Sequence, residues 1–170
     1  MRGKEAIEEN KTLIEEFPFL LPRNRWTDKV PDDFDFSYTE LDNMPDGWRT
    51  AFGLQMCREL KEILEKAGAL TDYRITDIKE KYGTLRWYEN EVPIKAKKEY
   101  LAWQSKYWEL SQRTCIKCGA KATKTSVGYI APFCTECARE MPSVNFEELK
   151  NKRRKYEHCS DEFILRLSYD

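Results

Sequence analysis

Along residues 46–67 the apolar positions Trp48, Phe52, Met56, Leu60, Ile63, Leu64 and Ala67 recur at helical spacing and predict one helix with a buried face. Pro45 is placed to open it and Gly68 to close it. Cys57 borders the stripe and reads as a small buried hydrophobe. A second stripe, Tyr100, Trp103, Tyr107 and Leu110, widened by Leu101 and Trp108, predicts a helix over about 93–112 that starts at Pro93. Its rings could stack nucleic-acid bases, but at this spacing they read first as core. Residues 4–16 carry a weaker stripe of Ile7, Leu13 and Ile14 and predict a first helix. The string Phe17-Pro18-Phe19-Leu20-Leu21-Pro22 cannot be helical throughout, because two prolines interrupt it, yet it is apolar enough to be pinned on a core. Residues 23–45 hold Pro31, Pro45 and many Asp. They predict a long irregular segment with a short extended stretch over 34–38.

Over 71–89 the period changes. Tyr73, Ile75 and Ile78 lead to Glu80-Lys81-Tyr82-Gly83, and Leu85, Trp87 and Tyr88 follow. This predicts a β-hairpin turning at Tyr82-Gly83, where glycine supplies a positive φ. Further on, Asn145-Phe146-Glu147-Glu148 has the form of a capping box and predicts a helix over 146–157. Alternation of Phe163, Leu165, Leu167 and Tyr169 predicts a final strand. The expected fold is α+β: helices packed on a small antiparallel sheet, with an α+β domain over 1–112, a cysteine module over 113–142, and a C-terminal helix and strand over 143–170 that pack back on the core.

The chain has 170 residues, which suits one domain or one domain with a small satellite. Hydrophobic residues at 41% and charged residues at 35% are globular proportions and argue against disorder. No apolar run is long enough to span a bilayer, and the start, MRGKEAIEENK, lacks the apolar stretch of a secretory signal. The expected place is the cytoplasm. Net charge is −1 but uneven: residues 1–50 carry 7 basic and 12 acidic side chains, residues 93–138 carry 8 and 3. A dedicated duplex-binding protein would be basic overall. Here only the middle, 93–138, could present a basic surface to nucleic acid.

Four of the six cysteines form two C-x2-C pairs, Cys115/Cys118 and Cys134/Cys137. In a cytoplasmic chain this spacing reads as zinc rather than disulfide. Cys115-Ile116-Lys117-Cys118-Gly119 has the form of a knuckle, whose tight turn aims two thiolates at one ion. Residues 121–133 offer two short strands around Val127-Gly128, and Cys134-Thr135-Glu136-Cys137 then opens an expected short helix at Ala138-Arg139-Glu140. Knuckle, hairpin and ligand-bearing helix suggest a treble-clef-like or zinc-ribbon module carried by the preceding helix. Four thiolates saturate a tetrahedral ion and leave no position for water, so the expected zinc is structural. Lys117, Lys121 and Lys124 in the module, and Lys152, Arg153 and Arg154 in the basic run after it, are the candidate contacts to phosphates or acidic surfaces.

Catalytic signals are thin. His158 is the only histidine, and its neighbour Cys159 is adjacent in sequence, where side chains tend to point apart. The H-x-E signature of zinc deaminases, the P-loop and G-x-G-x-x-G are absent. Asp32, Asp33, Asp35, Asp42 and Asp46 offer carboxylates for a magnesium-dependent nuclease, in a segment without the strands that would fix them.

The string Ile78-Lys79-Glu80-Lys81-Tyr82-Gly83-Thr84-Leu85-Arg86-Trp87-Tyr88 resembles a signature of small zinc-knuckle proteins from phages and prophages of Gram-positive gut bacteria. Phe17-Pro18-Phe19-Leu20-Leu21-Pro22-Arg23-Asn24, Met44-Pro45-Asp46-Gly47-Trp48 and Thr114-Cys115-Ile116-Lys117-Cys118-Gly119 extend the likeness over about 15–140. The resemblance implies a mobile-element origin rather than a reaction. With the split charge it leads to an expected function: a non-catalytic, zinc-stabilised binding protein that occupies a host protein or nucleoprotein of bacterial defence, in the manner of an anti-CRISPR. The alternatives are a phage accessory protein that binds nucleic acid directly, and a metal-dependent nuclease or small hydrolase.

Overall fold

A computed structural model describes residues 4–139 and 142–148. Its first helix, α1 (Lys4–Glu16), sets Leu13 and Ile14 against the main core. Asn10, the buried polar residue of α1, donates from Nδ2 to the Phe36 carbonyl at 2.8 Å and ties the helix to the irregular segment beyond. Phe17, Phe19 and Leu20 are fully buried around a 3₁₀ turn, Pro18–Leu20, as their apolar character predicts.

The extended stretch expected over 34–38 does not form. Phe36 sits at φ 63°, and no strand pairs with the segment. Phe34 instead meets Phe36 and Tyr38 at ring-centroid distances of 4.9 and 5.4 Å. The alternation of aromatics reflects a local ring cluster, not a pleat.

The 46–67 stripe is helical throughout but not uniform. It begins as α2 (Asp46–Trp48), widens into a π-helical segment (Arg49–Gly53) and continues as α3 (Leu54–Ala67). Trp48, Phe52, Met56, Leu60 and Leu64 are spaced by four, which outruns the 3.6-residue turn of an α-helix. The wider π turn takes up part of that drift, and all five side chains are buried. Gly68 closes α3 at φ 63°, with the Ala69 N–H on the Leu64 carbonyl and the Gly68 N–H on Glu65.

Strands β1 (Ile75–Lys81) and β2 (Thr84–Glu89) form the expected antiparallel hairpin. Lys81 pairs with Thr84, so the turn is the two residues Tyr82 and Gly83, at φ 54° and 75°. Positive φ at both positions is the twist-matched form of a two-residue hairpin. Both outer edges of this two-stranded sheet are covered by side chains: Arg25 donates to the Thr76 carbonyl, and Ser111 and Gln104 bond Leu85 N–H and the Trp87 carbonyl.

Helix α4 (Lys97–Gln112) starts four residues beyond Pro93, after a turn closed by the Ala96 N–H on the Pro93 carbonyl. Tyr100, Trp103 and Tyr107 are buried as predicted. Leu101, Trp108 and Leu110 are exposed, so the core face is narrower than the apolar sequence suggests.

A second sheet follows, with β3 (Lys124–Ser126) between β4 (Pro132–Phe133) and β5 (Ser143–Asn145), antiparallel to both. The two strands flanking Val127-Gly128 are as expected. The third was not: Ser143–Asn145 completes the module's sheet, which therefore runs past residue 142. Residues 146–148 begin a helical turn. The rest of the predicted 146–157 helix, the predicted strand over 163–169, and Lys152, Arg153, Arg154, His158 and Cys159 lie outside the described residues.

Candidate metal centre

The chain leaves α4 at Thr114, whose side chain and neighbours fix the start of the knuckle. Thr114 bridges to Lys121, the Cys115 N–H bonds the Ala120 carbonyl at 2.7 Å, and the Gly119 N–H bonds the Cys115 carbonyl at 3.0 Å. Gly119, at φ 80°, makes the reversal that returns the chain under Cys115. The second ligand pair follows β4. There the Ala138 N–H bonds the Cys134 carbonyl at 3.1 Å, and the Cys137 N–H points at Cys134 Sγ, 3.4 Å away. Residues 135–139 form a tight turn, and the short helix expected at 138–140 runs on into Glu140, which lies outside the described residues. The two loops are joined directly by the Ile116 N–H on the Pro132 carbonyl.

These two turns bring Cys115, Cys118, Cys134 and Cys137 together, with all four Sγ atoms within 4.8 Å of one another. Cys118 and Cys134 stand 3.6 Å apart, and none of the four is in a disulfide. Burial by itself raises the Cys115 thiol, but N–H groups of Cys134, Cys118 and Lys117 turned toward it hold it down to about 7. Cys137 moves the other way, to about 12, through desolvation and then the crowding of three other thiols. One ionised thiol among four is stable; four ionised thiols this close require a cation between them. The donor set fits a soft or borderline divalent metal in a four-coordinate site.

The cluster is seated on the N-terminal end of the 46–67 helix as well as on α4. The Gly47 N–H donates to the Ile116 carbonyl at 2.9 Å, and Trp48 Nε1 donates to the Thr114 carbonyl at 2.9 Å in the buried interior. A β-carbon on Gly47 would meet the backbone of Cys115, Ile116 and Gly119 at 2.2–2.7 Å. Sequence reasoning assigned Trp48 to the core but missed this seat. The available signal was a glycine inside a helix, where it costs about 1 kcal/mol unless something must come close.

Of the candidate contact residues, Lys117 and Lys121 are exposed on and just after the knuckle, and Lys124 is half-buried in β3. The acidic residues do not converge. Asp42 accepts from Thr39 N–H at 2.7 Å in a capping box and pairs with Arg49, whose other arm holds Asp46. Asp35 bonds Ser37, which keeps its carboxyl below the usual range. Among the described residues, the four cysteines are the one group of three or more metal-type side chains close enough to share an ion. Cys57 is wholly buried, and desolvation pushes its thiol up to about 12, as suits a hydrophobe.

Comparison with protein-family models, curated proteins and solved structures found no match. Among the described residues, no helix is long and apolar enough to cross a membrane.

Proposed function

We propose that Cys115, Cys118, Cys134 and Cys137 hold one structural Zn²⁺, and that the chain is a non-catalytic binding protein of phage origin which occupies a nucleoprotein of bacterial defence in the host cytoplasm. The observation that carries the metal part is the thiol geometry. Zinc–sulfur bonds of about 2.3 Å place the sulfurs of a tetrahedron about 3.8 Å apart. The 3.6 Å between Cys118 and Cys134 is close to that spacing. With four thiolates bound, the ion has no position for water and supplies folding free energy instead.

Three things support the binding part. The module is held by backbone contacts to Gly47, so metal order is converted into a rigid surface. Lys117 and Lys121 stand exposed on that surface and form no ion pair among the described residues. The acidic first 50 residues and the basic 93–138 give one chain two segments of opposite sign, which suits a target made of protein and nucleic acid. The resemblance to phage zinc-knuckle proteins supports a mobile-element origin and, with the split charge, a target in bacterial defence.

Metal analysis of the purified chain and a tagged pull-down from host lysate, with and without nuclease, test the two parts. One equivalent of zinc and a defined protein partner that survives nuclease are expected. Zinc-free folded protein would overturn the first part. Recovery that vanishes with nuclease, or no partner at all, would overturn the second.

A further inference from the structure

The hairpin has a second face that the core does not use. Ile78, Leu85 and Trp87 point inward, while Lys79, Lys81 and Tyr88 are exposed and Arg86 is half-buried between them. Lys79 and Arg86 stand directly opposite each other across the two strands. Like charges in that register repel, a cost that an anion held between them would offset. Lys79 reaches Asp77, but Arg86 makes no ion pair among the described residues, and its buried Nε has no hydrogen-bond partner there. This guanidinium lines a cleft of about 390 Å³ between β2 and α4, together with Tyr88, Gln104 and Trp108. The two rings are 43% and 39% exposed. Lys79 Nζ lies 5.0 Å from the Tyr88 centroid, and Lys81 Nζ lies 5.3 Å from the Tyr82 centroid at the hairpin tip.

We propose that this face binds single-stranded nucleic acid, with unpaired bases against Tyr88 and Trp108 and a phosphate on Arg86. Cations interleaved with exposed rings are what a single strand needs: charge for the backbone, flat surfaces for the bases. A duplex hides its base faces and would use the charges alone. An acidic peptide would do the same. The site lies in the hairpin and α4 and uses no residue of the cysteine module, so it stands or falls apart from the protein-partner reading.

The test is fluorescence anisotropy of the full metal-loaded chain with labelled 12-nucleotide oligothymidylate and oligouridylate. A duplex of the same length and polyglutamate serve as competitors. Both single strands are expected to bind at low salt and to be displaced poorly by either competitor. Tyr88→Ala and Trp108→Ala should each weaken binding about tenfold. Arg86→Gln should lower the slope of log K against log salt by about one, because one phosphate contact is lost. Should Arg86→Gln fail to fold, the effects of Tyr88→Ala and Trp108→Ala on single-strand binding decide the proposal. Binding unchanged by loss of either ring, duplex or polyglutamate competing as well as a single strand, or no binding at 50 mM salt would each overturn the proposal.

Discussion

A β-carbon at Gly47 would stand 2.2 Å from the carbonyl oxygen of Cys115, which no real contact allows. The knuckle that carries two of the four thiols therefore rests on bare helix backbone. The approach is mutual: a β-carbon on Gly119 would lie 2.7 Å from the Gly47 carbonyl oxygen. With the Gly47 N–H on Ile116 and the Trp48 indole on Thr114, this seam orients the metal cluster on the main core.

Gly47→Ala should therefore cost both stability and metal affinity. The blocking atoms are backbone, so the module must move as a unit, and a loss of about 3 kcal/mol is expected. Gly68→Ala is the contrast. Gly68 differs in both respects: its φ is positive, and nothing lies within 4 Å of a β-carbon there. It should cost about 1 kcal/mol of backbone strain and leave metal affinity unchanged. Thermal melts with a competing zinc chelator read both quantities. Equal metal affinity in the two variants would mean that the seam does not hold the cluster.

Removing the metal should release the module and spare the rest. Its own core is Cys115, Ala131, Phe133, Cys134 and Ala138, which is little apolar area, and two of the five are thiols of the four-cysteine cluster. The main core is much larger, holds Trp48, Trp87, Trp103 and the large aliphatics, and meets the module's core at Ile116, which packs against both. After chelation, amide protection should vanish over 114–139 and 143–145, while α3 and α4 keep theirs. Simultaneous loss in both regions would show that the two cores are one cooperative unit.

Local signals were readable, and tertiary adjustments were not. The four cysteines, the Tyr82-Gly83 turn and the Gly68 stop depend on chemistry carried by a few adjacent residues. The buried faces of α3 and α4 were readable because periodicity averages over many positions. The π segment at Arg49–Gly53 was not, since it arises from matching a four-residue spacing to a distant core. Phe34, Phe36 and Tyr38 mimic a strand only because three rings seek one another. Strand β5 was not read either, because its pairing with β3 is a contact between distant residues with no local trace.

Inside the main core the Tyr73 phenol joins two other aromatic residues, Trp87 and Tyr100. Trp87 Nε1 donates to Tyr73 Oη at 2.8 Å, and Tyr73 Oη lies 3.1 Å from Tyr100 Oη. Tyr73→Phe leaves the buried indole N–H of Trp87 without its acceptor, so a loss of about 2 kcal/mol is expected. Tyr100→Phe keeps the indole bond and should cost about 1 kcal/mol. The double variant should cost less than the sum, because one hydrogen bond is shared. Urea unfolding of the three variants checks this, and strict additivity would mean the phenols act independently.

Alkaline pH should expose the burial of Cys57. Desolvation raises its thiol from the ordinary 9 to about 12. Between those values the folded chain keeps a proton that the unfolded chain has lost, so this group's contribution falls as pH rises, by up to about 1.4 kcal/mol per pH unit. Tyr73, Tyr100 and Tyr107 are raised by burial too, but from 10, so they act later. Every ionisable group except Cys57 is common to wild type and Cys57→Ala, so the difference between the two reads that thiol. Cys57→Ala should be less stable at pH 8, by about 1 kcal/mol for the small cavity. That deficit should shrink from pH 9 to 10 and reverse above it. Parallel stability curves across that range would mean that the Cys57 thiol reaches solvent before the chain unfolds.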